Sequence, residues 1–259
     1  MLVIARFVEN AQRAFYRSRS RRRTARLDLA TLALRAPCGP QQRTARLAAM
    51  QERDFRALPA GGLYAITDGP RDDLLLAADG ALRGGAALLQ YRDKSGDATR
   101  RLAEATALVA ACHGYGVPLI VNDDVELAVA AGADGVHVGE NDQSVGAARA
   151  RLGPHAIVGA SCYDSLTRAR ELAAAGASYL AFGAFFPSPT KPHARRALPA
   201  LLRDARSLGV PLVAIGGITP DNARPLIDAG ADFIAAISGI FAGGDIAAQA
   251  RRYSELFTK

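Results

Sequence analysis

From Leu63 onward the chain alternates short apolar runs with longer stretches of helical period. The runs are Leu63–Thr67, Leu88–Tyr91, Leu119–Asn122, Gly135–Val138, Ile157–Ser161, Tyr179–Gly183, Leu212–Gly216 and Phe233–Ser238. Each is short for a helix, ends in a polar or glycine-rich turn, and is followed by an Ala/Leu-rich amphipathic stretch, as a strand feeding a helix would be. The unit also repeats. Gly85-Ala86, Gly132-Ala133-Asp134-Gly135, Gly176-Ala177-Ser178-Tyr179 and Gly230-Ala231-Asp232-Phe233 each stand between a helical pattern and a strand, at successive spacings of 47, 44 and 54 residues. Glycine there supplies a left-handed helix end, and alanine lets the helix lie close to the sheet. Eight β/α units in roughly 200 residues predict a closed (β/α)8 TIM barrel. A doubly wound open sheet is the alternative, disfavoured because Thr67-Asp68-Gly69-Pro70-Arg71 follows the first strand where a G-x-G-x-x-G turn would stand.

A parallel barrel delivers the C-terminal residue of every strand to one mouth. The third strand stops at Asn122-Asp123 and the fourth just before Glu140 and Asp142, so Asp123 and Asp142 are predicted to converge although nineteen positions apart. Two converging carboxylates suit Mg²⁺, which takes one or two carboxylates and completes its octahedron with water and phosphate oxygens. The plainer reading is that Asp123 caps the next helix and Asp142 sits in a solvated loop. At the second strand, alternation puts Gln90, Arg92 and Lys94 of Gln90-Tyr91-Arg92-Asp93-Lys94 on one side. A solvated charge run fits these cations poorly after the apolar Ala86-Ala87-Leu88-Leu89. The fifth strand ends in Ser161-Cys162-Tyr163. The sixth leads into Pro187-Ser188-Pro189-Thr190-Lys191, where prolines stiffen a loop with two hydroxyls and an ammonium.

Gly216-Gly217 after the seventh strand, with Pro220-Asp221-Asn222 read as the opening of a helix, and Ile237-Ser238-Gly239 after the eighth lie where such barrels bind a monophosphate. The mouth thus offers a backbone phosphate cup and a cationic, carboxylate-lined site suited to Mg²⁺-diphosphate. No Ser-His-Asp arrangement is legible: His113, His137, His155 and His193 have no evident nucleophile partner, and His137 is expected to line the barrel.

Charge changes the picture only at the amino terminus. The chain of 259 residues has a formal net charge of +7, but residues 1–49 hold eleven arginines against Glu9 and Asp28, a net +9 that leaves −2 for residues 50–259. A nucleic-acid function would therefore rest on the tail, with its cluster Tyr16–Arg26, and not on the barrel. That Arg-rich segment is expected to be a spurious or dispensable extension, read from an upstream start with Met50 as the natural one, with a targeting segment or a basic arm as alternatives. Cys38, Cys112 and Cys162 are odd in number and scattered, which predicts reduced thiols and neither a disulfide framework nor a zinc site. No run reaches the roughly 20 apolar residues of a membrane span. A cytoplasmic protein without membrane or nucleic-acid partners is expected.

Seven motifs, LYAITD, LLQYRDK, VNDDVELAVAAGADGVHVGEND, GASCYDS, PSPTKP, VAIGGITPDN and AAISGI, resemble in order those of the thiamine-phosphate synthase family over Leu63–Phe241. The resemblance implies a (β/α)8 barrel that joins hydroxymethylpyrimidine diphosphate to thiazole phosphate, or its carboxylate, releasing pyrophosphate. It implies Mg²⁺ on Asp123 and Asp142, and pyrimidine diphosphate on Gln90, Tyr91, Arg92, Asp93, Lys94, Asn122, Ser161 and Lys191. Arg92, Lys94, Ser161 and Lys191 would be the catalytic groups. Thiazole phosphate would lie on Ser188, Pro189, Thr190, Gly217, Ile237 and Ser238. Small-molecule substrates are the implied partners, and assembly with further copies of the chain stays open. Two motifs depart from the family pattern: Ser188-Pro189-Thr190-Lys191 stands for Thr-x-Thr-Lys, and Ser161-Cys162-Tyr163 for Ser-x-His. Rival readings are a thiazole tautomerase with the phosphate cup alone and a sugar-phosphate epimerase. The complete diphosphate site argues against the first, and the Gln-x-Arg-x-Lys and Ser-Pro-Thr-Lys motifs argue against the second.

Overall fold

The computed structural model describes residues 58–187 and 195–258. The predicted extension 1–49, its boundary at residue 50, and Ser188, Pro189, Thr190 and Lys191 lie outside them. The described residues run β1 (Gly62–Ile66), α1 (Leu74–Arg83), β2 (Ala86–Tyr91), α2 (Ala98–Tyr115), β3 (Leu119–Asn122), α3 (Val125–Ala131), β4 (Gly135–Val138), α4 (Val145–Leu152), β5 (Ile157–Tyr163), α5 (Leu166–Ala174), β6 (Tyr179–Phe182), α6 (Pro199–Ala205), β7 (Leu212–Ile215), α7 (Arg224–Asp228), β8 (Phe233–Ala236), α8 (Ser238–Phe241) and α9 (Ile246–Ser254). All eight strands pair in parallel with their sequence neighbours, and β8 closes on β1 with Leu63 opposite Ile234. The predicted closed barrel is the observed fold, and the open sheet is excluded.

Alternation along each strand divides the core in two. Tyr64, Leu88, Ile120, Ile157, Tyr179, Val213 and Phe233 fill the barrel interior. Their neighbours Leu63, Leu89, Leu119, Val158, Leu180, Leu212 and Ile234 face the surrounding helices, with the small Ala77, Ala78, Ala128 and Ala148 on the helix side. At eight strands the interior is just wide enough for side chains to fill.

The repeated Gly-Ala units behave as predicted and add a device the pattern did not disclose. Gly85, Gly132, Gly176 and Gly230 all take positive φ, between 70° and 111°. The polar residue after the alanine then accepts a hydrogen bond from a strand N–H: Asp134 from Leu119 at 2.7 Å, Ser178 from Val158 at 3.0 Å and Asp232 from Leu212 at 2.8 Å. Each satisfies a donor at a strand start, away from the mouth.

Strand ends differ from expectation where turns intervene. β1 stops at Ile66, because Thr67 turns its hydroxyl to the Arg92 backbone, accepting from N–H at 2.8 Å. β6, β7 and β8 end at Phe182, Ile215 and Ala236, short of the predicted ends, and Gly216 at φ 102° turns the chain away after β7. β5 instead continues to Tyr163. Pro220-Asp221-Asn222 does not open a helix. Asn222 accepts from the Thr219 N–H and donates to the Gly217 carbonyl, closing a turn, and α7 begins at Arg224 with Pro225 in its first turn.

Candidate active site

The mouth is built from strand ends. After β3 the chain places two adjacent acids differently. Asp124 is the cap of α3, its carboxylate accepting from the Leu127 N–H at 2.9 Å. Asp123 takes the left-handed conformation, φ 64°, with its N–H held by the His137 carbonyl at 2.8 Å. Few non-glycine residues adopt this conformation without a reason outside the backbone. It turns the Asp123 carboxylate to Lys94, 3.3 Å away, and within hydrogen-bonding reach of Asp142.

Asp142 is fixed by its own loop, accepting from the Gly139 N–H at 2.7 Å. Burial lifts its pKa; the Gly139 N–H opposes this, and the Asp123 carboxylate adds to it. A carboxylate lifted by burial beside another carboxylate is what a cation relieves. Among the described residues no three His, Cys, Asp or Glu side chains gather as a metal site. The Asp123 and Asp142 carboxylates suit an ion that takes one or two protein carboxylates and most of its ligands from elsewhere, as Mg²⁺ does with a phosphorylated substrate.

Beside the acids, an open cavity of about 450 Å³ is bordered by Lys94, Asn122, Asp123, Asp124 and Arg101. Arg92 is half-buried, and among the described residues its guanidinium has no acceptor. A partly desolvated guanidinium without a counter-charge awaits an anion. Gln90 shares the inward side with Arg92 but lies deeper, buried, with Nε2 donating to the Tyr64 hydroxyl at 2.6 Å.

Tyr91 turns away from the mouth, as the period of two dictates, while Asp93 stands at the edge of the cavity. The odd positions of β2 face α2. Tyr91 is buried in the outer core and donates to Glu104 at 2.7 Å. Asp93, though it borders the cavity, commits its carboxylate to the Ser95 N–H at 2.7 Å and to Arg100 at 2.7 Å. Burial pushes its pKa up, but these bonds outweigh it and hold the group below the usual carboxylate range. Both residues brace the β2–α2 loop that carries Lys94.

On the opposite wall, Ser161 is paired with His137, Oγ to Nε2 at 2.8 Å, and His137 Nδ1 faces the Tyr179 hydroxyl at 3.0 Å. The expectation that His137 lacks a nucleophile partner is thus corrected. The arrangement is still no Ser-His-Asp triad, since a buried phenol stands where the acid would. Inward-facing tyrosines of β1 and β6 were the available signal. Tyr163 takes φ 55°, its hydroxyl accepts from the Glu140 N–H at 3.3 Å, and the Arg195 guanidinium lies 4.6 Å over its ring. Arg195 also pairs with Glu140 at 2.7 Å, tying the Asp142 loop to the chain after β6.

The β7 loop meets the β6 loop at its base. Phe185 and Phe186 N–H groups donate to the Ile215 and Gly216 carbonyls, and Gly217, φ 63°, lies so close to the Phe186 and Pro187 carbonyls that no Cβ fits. Ile237 precedes α8, whose leading N–H groups, of Ser238 and Gly239, have no acceptor within the helix. Gly217, Ile237 and Ser238 thus stand at one edge of the mouth.

Fold and mouth together define a (β/α)8-barrel enzyme that gathers two facing carboxylates, Lys94 and Arg92 at its strand ends, a setting for an anionic substrate. The thiamine monophosphate synthase family matches residues 63–240. The chain is 56% identical over 201 residues to the thiamine-phosphate synthase of Xanthomonas campestris pv. campestris (strain 8004), covering 77% of this chain and 97% of that protein. It is likewise 56% identical to that of Thiobacillus denitrificans over 206 residues, 78% and 97% of the two chains. Among solved structures, thiamine phosphate pyrophosphorylase from Pyrococcus furiosus superposes with a TM-score of 0.69 at 33% identity, over 75% of this chain and 94% of that one. The chain belongs to the thiamine monophosphate synthase family, transferases of thiamine biosynthesis. Among the described residues no helix is long and apolar enough to cross a membrane.

Proposed function

We propose that this mouth condenses 4-amino-2-methyl-5-hydroxymethylpyrimidine diphosphate with thiazole phosphate, or its carboxylate, to thiamine monophosphate and pyrophosphate. The observation that carries the reading is the Asp123–Asp142 pair beside Lys94, with Arg92 lacking an acceptor among the described residues, a site balanced for a diphosphate and a divalent cation. Gln90, Arg92, Lys94, Asn122, Ser161 and Lys191 hold the pyrimidine diphosphate, with Tyr91 and Asp93 acting only through the loop they brace. Ser188, Pro189, Thr190, Gly217, Ile237 and Ser238 hold the thiazole phosphate.

The C–O bond to diphosphate breaks heterolytically, its electrons leaving with the diphosphate, and the aminopyrimidine disperses the positive charge left on its methylene carbon. Arg92, Lys94 and Lys191 meet the charge gathering on the leaving group. Mg²⁺ held by Asp123 and Asp142 would offset that same charge. The thiazole nitrogen, positioned by its phosphate, donates its lone pair to the methylene carbon and forms the C–N bond. No external proton or oxidant is needed. The reading includes a cytoplasmic setting and free small-molecule substrates.

The test is an assay of pyrophosphate release with both phosphorylated substrates, with and without Mg²⁺. Release requiring both substrates and abolished by chelation is expected. Silence with all components present would sink the reading.

A further inference from the structure

Five polar side chains from five strands form one hydrogen-bonded chain through the barrel interior. Gln90 Nε2 donates to Tyr64 Oη at 2.6 Å, Tyr64 Oη meets Tyr179 Oη at 2.7 Å, Tyr179 Oη meets His137 Nδ1 at 3.0 Å, and His137 Nε2 meets Ser161 Oγ at 2.8 Å. Tyr64 and Tyr179 are 1% and 0% exposed, in van der Waals contact edge to face. Burying two phenols among Leu88, Ile120, Ile157 and Phe233 is costly unless each hydroxyl is satisfied, so the chain is under pressure to keep one consistent direction.

That direction follows from its first member. The Gln90 amide nitrogen can only donate, so Tyr64 accepts there and spends its own hydrogen on Tyr179. Tyr179, having accepted, donates to His137 Nδ1. A neutral imidazole accepting on Nδ1 carries its hydrogen on Nε2 and donates it to Ser161. Ser161 Oγ then accepts from within the barrel, and its own hydrogen is left to point into the mouth.

We propose that Tyr179 and Tyr64 are positioning residues for the reaction, which through His137 set the Ser161 hydroxyl as a hydrogen-bond donor toward the bound pyrimidine diphosphate. The proposal rests on the reading that Ser161 meets that substrate. The imidazole beside Ser161 is that of His137, and its tautomer is set from below. Deep packing thereby controls a group that touches substrate, while the tyrosines themselves do not.

The experiment uses the full chain, ¹⁵N-labelled at histidine, and reads the His137 ring nitrogens by NMR without ligand, with His137→Gln identifying the resonances. The expected wild-type state is the Nε2–H tautomer. Tyr179→Phe keeps the ring and removes only the link, so mixed tautomers are expected. Its kcat for pyrophosphate release should fall roughly 10- to 100-fold, the low end of what a positioned hydrogen bond contributes, with KM for thiazole phosphate unchanged. Tyr64→Phe should give a smaller loss. Adding Tyr179→Phe to Ser161→Ala should cost almost nothing further, since both act on one donor. A wild-type Nδ1–H tautomer overturns the proposal, as do additive losses or a Tyr179→Phe enzyme of unchanged kcat. Should Tyr179→Phe fail to fold, the wild-type tautomer and Tyr64→Phe decide. If the unaltered chain releases no pyrophosphate, the synthase reading fails on its own, and the tautomer result stands apart from it.

Discussion

Asp123 and Asp124 are chemically identical neighbours with separate duties, and substitution should separate them. Asp124→Ala removes the cap of α3 and the partner of Arg101 at 3.0 Å, so a stability loss of about 0.5–2 kcal/mol is expected, read as a fall in thermal midpoint. Asp123→Ala leaves the cap in place and removes the mouth carboxylate facing Lys94, so turnover should drop about 10²- to 10⁴-fold, the span of electrostatic contributions at such centres. Equal turnover in the two variants would refute the division of labour. Gly139 offers a finer probe. A Cβ there would meet Asp142 Oδ2 at 2.9 Å, displacing the carboxylate from its N–H anchor. Gly139→Ala should therefore fold normally yet need more Mg²⁺ for half-maximal turnover, measured by titrating the metal. At this scale the sequence already marked Asp123, Asp142, Arg92 and Lys94 as mouth residues, because each follows a recognisable strand. It also marked Tyr91 and Asp93; alternation turns Tyr91 to the helix side, and Asp93 borders the cavity with its carboxylate held by Ser95 and Arg100, which a motif naming neighbours does not disclose.

Between elements, the Gly-Ala-Asp units show how a local signal acquires a second function. Glycine and alanine explain the helix end and the close packing, and both were legible. The acid's bond to a neighbouring strand was not, because Asp134 and Leu119 are joined only when β3 and β4 lie side by side. Asp134→Ala would strip a buried N–H of its acceptor and His113 of its 3.0 Å partner, costing about 1–3 kcal/mol. Urea denaturation should report that loss, while turnover per folded molecule stays unchanged because the residue lies at the end of the barrel away from the mouth. A barrel that melts unaltered would show the capping bond to be incidental. Gly159 is constrained from the same direction: a Cβ there would run into the Tyr179 ring, so Gly159→Ala should destabilise by about 1–3 kcal/mol through overpacking.

Across the molecule, an interior rich in protonated hydroxyls and thiols governs the response to alkali. Burial pushes the Tyr64, Tyr91 and Tyr179 phenols and the Cys112 thiol far above their ordinary values, and Cys162 and Tyr253 up to about 12. For a group whose pKa is raised by folding, the stabilisation is complete below the unfolded pKa and disappears as pH climbs toward the folded one. With unfolded values near 8.5 for cysteine and 10 for tyrosine, stability should hold to about pH 8 and decline from about pH 9 toward 12. Calorimetry across that range, with phenolate absorbance followed alongside, checks it. Buried tyrosines that ionise reversibly below pH 11 with secondary structure intact would contradict it. The same protonation keeps Cys112 and Cys162 inert to thiol reagents until the barrel opens.

The amino-acid order by itself determined what is local: eight strand–helix units, the glycines that punctuate them, and the polar residues each strand presents at its end. Those are properties of spacing, readable wherever a period of two gives way to one of 3.6. Only tertiary structure decided what meets across the ring. Tyr64 and Tyr179 are 115 positions apart, and His137 and Ser161 stand on adjacent strands whose register sets His137 opposite Gly159, on the same face as Ser161. Closure and register arise from all eight strands together, and no stretch of sequence contains them.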